Sequence, residues 1–348
     1  MPQGSILGPI LLLIYINDLP ACTNLLSFLF ADDTTLLESD ENIDNLISKV
    51  NTEFTKLTQY FRANRLSLHP DKTKFMLFST SQVAQQLDIK LFINNNSPDS
   101  PNANQNLIGR MERITALSKT PAMKFLGVYF DPALNFQFHI KQIFSNISKR
   151  LYIIRTVKNI LNKKALKALY YTLIHCHLIY AIQIWSCCSK KLVNDLFSKQ
   201  KTAVRLVEGL KYNAHTEPTF KKLKILPLPS LVDFFVIQFM QRYKQGYLPI
   251  LFNNTWVTNA TRRGEDGSQL ALRNDYDLYI PPARTTQTES HPLINFPRKW
   301  VAFAEENVEI CFIRNKPEFD KKLKKHLSDK LSAVVICDRQ LYCPSCNT

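Results

Sequence analysis

Leu25-Leu26-Ser27-Phe28-Leu29-Phe30-Ala31-Asp32-Asp33-Thr34-Thr35-Leu36-Leu37 is the stretch on which the reading of the fold turns. Two short apolar or β-branched runs, 25–30 and 34–37, flank Ala31-Asp32-Asp33, a pattern that predicts a hairpin with acids at its tip. Neighbouring carboxylates repel unless solvent or a cation offsets their charge, and hard divalent ions such as Mg²⁺ take carboxylate and phosphate oxygens as ligands. An isolated Asp-Asp pair is more often a plain turn, so the reading depends on what surrounds it.

After the hairpin, Asp40-Glu41 opens a helical pattern in which Ile43, Leu46, Ile47, Val50, Phe54, Leu57 and Phe61 recur on one face. Leu66–Lys72 reads as a turn into a strand over Lys74–Ser79, residues 94–106 as an exposed Asn/Pro/Ser-rich insertion, and Lys124–Phe130 as a strand ended by Asp131-Pro132. From Phe136 the period becomes helical. Ile140, Ile143, Phe144, Ile147, Leu151 and Ile154 form one stripe, with Lys141, Lys149, Arg150, Arg155 and Lys158 mostly off it. Further helices are expected over Lys164–Trp185, Lys191–Glu208 and Ser230–Gly246, with Pro227 and Pro229 as a break, and a short basic one over Glu318–Leu331. The organisation that follows is an α+β domain over residues 1–135, a basic helical domain over 136–247, and a poorly defined region over 248–348.

The composition agrees with a folded, polyanion-seeking chain. Its 348 residues are 45% hydrophobic and 21% charged, which excludes a disordered tail or a mini-protein. The net charge of +15 is lopsided: residues 1–135 carry −2, and residues 141–224 hold 17 basic against 3 acidic side chains. Such a segment attracts nucleic acid or presents plain solvated helix faces. Eight unevenly spaced cysteines point to a reducing compartment rather than a disulfide framework. The apolar run Ile6–Ile16 has no basic leader ahead of it and reads as buried structure. Ala168–Cys188 is long enough to span a bilayer, but His175, His177, Gln183 and Ser186 favour a core helix, and no membrane partner is expected. Cys343-x-x-Cys346, with Cys337 and His326 upstream, is too irregular for a zinc site, and none is expected. With only eight glycines, a dinucleotide-binding loop has little support.

Pro2-Gln3-Gly4-Ser5-Ile6-Leu7-Gly8-Pro9-Ile10-Leu11, Tyr15-Ile16-Asn17-Asp18-Leu19 and Phe30-Ala31-Asp32-Asp33-Thr34, in that order, resemble the reverse transcriptase of non-LTR retrotransposons, most closely the jockey-like and chicken-repeat-like elements. Leu66–Lys74 is similar to the family's segment after the catalytic hairpin, and Lys124-Phe125-Leu126-Gly127-Val128 to its primer grip. Tyr170 to His177, Tyr180 with Trp185, Gln200-Lys201 and His215-Thr216-Glu217-Pro218 extend the resemblance over roughly residues 1–250. It implies part of a polymerase palm, α+β with a small antiparallel sheet and helices, followed by a mostly α-helical thumb-like domain.

The implied activity is RNA-directed DNA polymerisation by two Mg²⁺ ions, with an RNA template, a DNA primer and deoxynucleoside triphosphates as partners, in the nucleus or cytoplasm. By the same resemblance Asp32 and Asp33 are the catalytic, metal-binding acids, and Lys72 matches the position that protonates pyrophosphate. Gln3, Gly4 and Ser5 fall where the incoming nucleotide and template base lie, and Phe125, Leu126 and Gly127 in the primer grip. Lys141, Lys149, Arg150, Lys158, Lys163 and Lys164 would contact nucleic-acid phosphates. The family carries a further catalytic carboxylate on a strand ahead of the segment matched by Pro2-Gln3-Gly4. The expectation is therefore a polymerase fragment that does not polymerise alone, and the alternative is a non-enzymatic nucleic-acid-binding remnant that uses the basic helices.

Overall fold

The computed structural model describes residues 5–66, 68, 72–79, 87, 89–94, 108–265 and 278–338. The chain divides into two compact units, residues 1–123 with 131–133, and residues 124–130 with 134–348.

In the first unit, helix α1 (Leu7–Tyr15) buries none of its residues, and Ile6 and Ile14 are 83% and 69% exposed. The run 6–16 is thus not the buried element its composition predicts; only Ile16 at its end is buried. Tyr15 holds this helix by donating its hydroxyl to the Asn64 carbonyl. Strands β1 (Leu26–Phe30) and β2 (Asp33–Leu37) pair antiparallel, with Phe30 opposite Asp33. Helix α2 (Ile43–Ala63) starts at Asn42, whose side chain accepts from the Asp44 and Asn45 amides and so satisfies donors the first turn leaves free.

Helix α2 serves two small cores. Its Leu57 and Tyr60 pack with Leu19, Leu25, Leu29 and Leu36 of the hairpin region, and its Ile43, Ile47, Val50 and Phe54 pack against Ile89, Leu91 and Met111. A leucine buried as fully as Leu57, 1% exposed, contributes roughly 1.5–3 kcal/mol. The other strands are short two-stranded ladders: β3 (Lys74–Phe75) pairs parallel with β6 (Glu112–Arg113), and β4 (Phe92–Asn94) antiparallel with β5 (Ile108–Arg110). The α+β class stands, though the strand expected over 74–79 is only two residues long and the sheet is a set of separate ladders.

The second unit opens with a correction. Residues 124–130 are not one strand of the first domain; β7 (Met123–Phe125) and β8 (Val128–Phe130) form a hairpin whose turn, Leu126-Gly127, has φ of +44° and +85°. Val128 and Phe130 pack on the helices that follow. Helix α3 (Gln137–Val157) buries Ile140, Ile143, Ile147, Leu151 and Ile154, the stripe its sequence predicts, with Phe144 at its edge. The long helix expected over 164–185 is instead a series: α4 (Lys163–Tyr170), a π turn (Tyr171–His175), α5 (Cys176–Ile179) and α6 (Ile182–Trp185). It breaks at Ala181, whose φ is +51°, and Tyr170, Ile174, Leu178, Ile182 and Trp185 are all fully buried in the core. No single helix among the described residues is long and apolar enough to cross a membrane, although the helices Glu217–Leu223 and Leu228–Lys244, bent by 52° at the break between them, pass that test together.

Helices α7 (Lys190–Glu208), α8 (Glu217–Leu223) and α9 (Leu228–Lys244) complete this core. The break expected at Pro227 and Pro229 lies between Leu223 and Leu228, with Pro227 extended at the N-cap, and Pro229 falls within the first turn of α9, where the helix needs no donor from it. The region after 247 is also better defined than its sequence predicts. Helices α10 (Asn259–Glu265), α11 (Thr286–Ser290), α12 (Pro292–Glu306), α13 (Val308–Cys311) and α14 (Lys316–Asp338) follow, and Phe296, Trp300, Phe303, Phe319, Leu323 and Leu327 join the same core. Side-chain bonds tie them to α9: Lys299 pairs with Asp233, Gln238 donates to Asp320 at 2.7 Å and Gln241 to the Ile313 carbonyl at 2.7 Å.

Candidate catalytic hairpin and nucleic-acid surface

The acidic hairpin is held from beneath. Glu53 of α2, a buried carboxylate, accepts from the Thr23 hydroxyl at 3.0 Å, the Asn24 amide at 2.8 Å and Lys56 at 2.5 Å, which fixes the chain entering β1. The Lys56 ammonium, then the Asn24 N–H, hold its pKa down at about 2. Asp18, the other acid of this region, accepts from the buried Tyr60 hydroxyl at 2.5 Å and is committed to structure. Desolvation and Asp18 together push the Tyr60 hydroxyl far above its ordinary range.

With Phe30 opposite Asp33, the turn consists of Ala31 and Asp32 alone. Ala31 has φ of +52°, a left-handed conformation that costs a residue with a Cβ about 1 kcal/mol relative to glycine. Both acids are exposed but not equivalent: Asp32 lies in the turn, whereas Asp33 opens β2 and by the alternation of a strand shares a face with Phe30, Phe28 and Leu26. Those three side chains are also exposed, so the carboxylate of Asp33 stands on an open apolar sheet face. Among the described residues no group of three or more His, Cys, Asp or Glu side chains is placed to hold a metal ion.

Gln3 and Gly4 lie outside the described residues. Ser5 accepts from the Gly8 amide at 3.1 Å and so caps the start of α1. Lys72 is exposed at the turn before β3 and makes no ion pair with Asp32 or Asp33. Cys343 and Cys346 also fall outside the described residues, as does the side chain of Cys337. His326 has Glu306 as its acidic neighbour, at 3.7 Å.

In the second unit the primer-grip-like residues come together with Tyr180. Its hydroxyl donates to the Leu126 carbonyl, and a Cβ at Gly127 would stand 3.2 Å from its ring. Glycine is needed there both for the turn's φ and for this approach. Tyr180 is in turn held by its own carbonyl, which accepts from Trp185 Nε1 at 2.8 Å. Phe125 packs edge-on against Phe130, and Phe130 against Phe136.

Lys141, Lys149, Arg150 and Lys158 lie along α3 and its end, and Gln137–Val157 contains no acidic residue. Lys163 differs from them. It pairs with Glu208 at 2.6 Å, and Lys222 shares the same carboxylate, holding the Glu208 pKa below its ordinary value. Lys164 is exposed beside it. Arg155 and Tyr152, given no role from sequence, occupy the same solvent face of α3 as Lys149; the i, i+3 spacing of the three was the available signal.

Comparison with known proteins adds independent support. Residues 1–130 match the family described as "Reverse transcriptase (RNA-dependent DNA polymerase)". The chain is similar to the "Probable RNA-directed DNA polymerase from transposon BS" of Drosophila melanogaster, 26% identical over 262 residues that make up 71% of this chain and 26% of that protein. It is also similar to the "RNA-directed DNA polymerase from mobile element jockey" of the same organism, 22% identical over 291 residues, 80% of this chain and 29% of that protein. The chain thus spans between a quarter and a third of the length of these relatives. No solved structure matches it. The resemblance to non-LTR retrotransposon reverse transcriptases read from the motifs stands.

Proposed function

We propose, from a chain whose first 130 residues match the reverse transcriptase family, that it supplies the metal-binding hairpin and the nucleic-acid-holding helices of an RNA-directed DNA polymerase. The observation that carries this is the pair Asp32 and Asp33, exposed side by side at the tip of a hairpin whose entering chain Glu53 fixes at Thr23 and Asn24 and whose Leu29 and Leu36 pack on α2. Two carboxylates suit a hard divalent ion that keeps water and substrate phosphates among its ligands, as Mg²⁺ does. Bound there, Mg²⁺ would supply charge neutralisation to phosphoryl transfer between a primer hydroxyl and a nucleoside triphosphate.

The chain's own part is positional. Asp32 and Asp33 would hold the cation, and the Leu126-Gly127 turn, locked by Tyr180, would present a fixed backbone edge to a primer strand. Lys141, Lys149, Arg150, Lys158 and Lys164 neutralise phosphates without reading sequence. No third carboxylate joins Asp32 and Asp33 among the described residues, so the chain by itself binds the ion weakly and does not extend a primer. The same observation favours a second reading, nucleic-acid binding without chemistry.

Two measurements on the purified full chain test this. Binding to an RNA–DNA heteroduplex is expected to weaken with salt along a log–log slope of about −4, as four to five phosphate contacts require; salt-independent or absent binding overturns the nucleic-acid role. Primer extension with Mg²⁺ is expected to give no product. Extension that Asp32→Ala abolishes would overturn the view that the site is incomplete and would dismiss the non-enzymatic reading.

A further inference from the structure

On the outer face of α3, Tyr152 is 69% exposed, and its hydroxyl makes no hydrogen bond to any described residue. Lys149 stands one turn before it and Arg155 one turn after, both exposed, both at the i, i+3 spacing that makes helix side chains neighbours. Neither cation pairs with an acid among the described residues, and α3 contains none. Ser148 and Thr156, the i, i+4 neighbours, turn their hydroxyls back to the Phe144 and Tyr152 carbonyls and leave the ring uncovered. A large aromatic in the middle of a solvated face whose charged residues are all basic has no part in the core, whose side of α3 is taken by Ile140, Ile143, Ile147, Leu151 and Ile154.

We infer that Tyr152, flanked by Lys149 and Arg155, is a stacking platform for an unpaired base of single-stranded nucleic acid. The inference rests on the nucleic-acid-holding role proposed above and narrows it. A duplex keeps its bases stacked inside and offers these helices only phosphates, whereas a single strand offers a phosphate for each cation and a π-face for the ring between them. Charge complementarity fixes the sign of the partner. A lipid surface fits less well, because the apolar side of α3 is already buried in protein and an interfacial helix needs that side for the membrane.

The test compares a labelled twelve-nucleotide oligothymidylate with an abasic strand of the same length, by fluorescence anisotropy on the full chain, with the RNA–DNA heteroduplex as reference. The chain is expected to prefer the base-bearing strand by about 5- to 150-fold, the range that base–aromatic stacking spans. Tyr152→Ala should erase that ratio and leave heteroduplex binding within about twofold; Tyr152→Phe should keep it, and Arg155→Ala should weaken both strands alike. An unchanged unfolding curve shows that Tyr152→Ala still folds. A ratio near one, or one that survives Tyr152→Ala while the heteroduplex still binds, overturns the platform alone. Failure to bind any nucleic acid overturns the proposed function and the platform with it. Binding to phosphatidylserine–phosphatidylcholine vesicles that Tyr152→Ala abolishes, with no preference between the strands, also overturns the platform and assigns the face to a membrane.

Discussion

Gln200 of α7 is fully buried, and its amide joins three segments of the helical unit. Its Oε1 accepts from the Leu228 amide at 2.7 Å, where α9 begins, and its Nε2 donates to the Leu226 carbonyl at 3.0 Å and to the Tyr170 hydroxyl of α4 at 2.9 Å. Gln200→Leu keeps the volume and removes all three bonds. The Leu228 N–H lies in a helix's first turn and has no partner within its own helix, and the Leu226 carbonyl and Tyr170 hydroxyl lose theirs in a site without solvent. At about 1–3 kcal/mol for each of the three groups left unsatisfied, less about 1–2 kcal/mol from the better burial of leucine, the net loss is about 1–8 kcal/mol, centred near 4–5 kcal/mol. A typical domain has only about 5–15 kcal/mol in total.

The assay is urea unfolding followed by tryptophan fluorescence. Trp185, Trp256 and Trp300, the only tryptophans in the sequence, all lie in the helical unit, so the signal isolates it. Tyr170→Phe should cost only about 1 kcal/mol, because Nε2 keeps the Leu226 carbonyl. The double variant should cost less than the sum by about 1–2 kcal/mol, because the stranded hydroxyl is gone. A Gln200→Leu loss under about 1 kcal/mol, or strict additivity, would refute the reasoning.

The same fluorescence should report acid sensitivity from His139 and His175, both held neutral at a pKa of about 4 by burial, with Lys324 adding to the effect at His175. The unfolded chain takes these protons near pH 6.5, so stability is intact above that value and falls between about pH 6.5 and 4; His175→Leu should shrink the fall. In the first unit, Glu53→Gln should cost about 1.5–3 kcal/mol at neutral pH, read by far-ultraviolet circular dichroism. Because the Glu53 pKa is depressed to about 2, the stability it contributes is present above about pH 4.5 and lost as pH falls toward 2, and the variant should show none of that loss. Gly127→Ala should destabilise the β7–β8 hairpin by about 1–2 kcal/mol through its φ of +85° and the 3.2 Å approach to Tyr180, seen as faster amide exchange at Leu126 and Val128; unchanged exchange would count against a locked turn.

Local periodicity and motif order carried the α+β class, the acidic hairpin, helix α2, the apolar stripe of α3 and the cationic segment that follows it. These depend on spacing within one element, and hydrophobic burial acts on that spacing wherever the element finally packs. What sequence did not show depended on partners far along the chain. Whether residues 124–130 run straight or turn back is decided at Leu126, a non-glycine residue in a left-handed conformation that its own propensity opposes and that Tyr180, 54 residues away, holds in place. Lys163 reads as a free cation until Glu208, 45 residues away, takes it up. The apolar residues between 296 and 327 are scattered among proline and charge, and they make a core only because α9 presents the matching surface. Sequence pattern thus determined which faces needed cover, and tertiary structure decided what covered them, because burial energy is read residue by residue whereas pairing exists only once two distant segments meet.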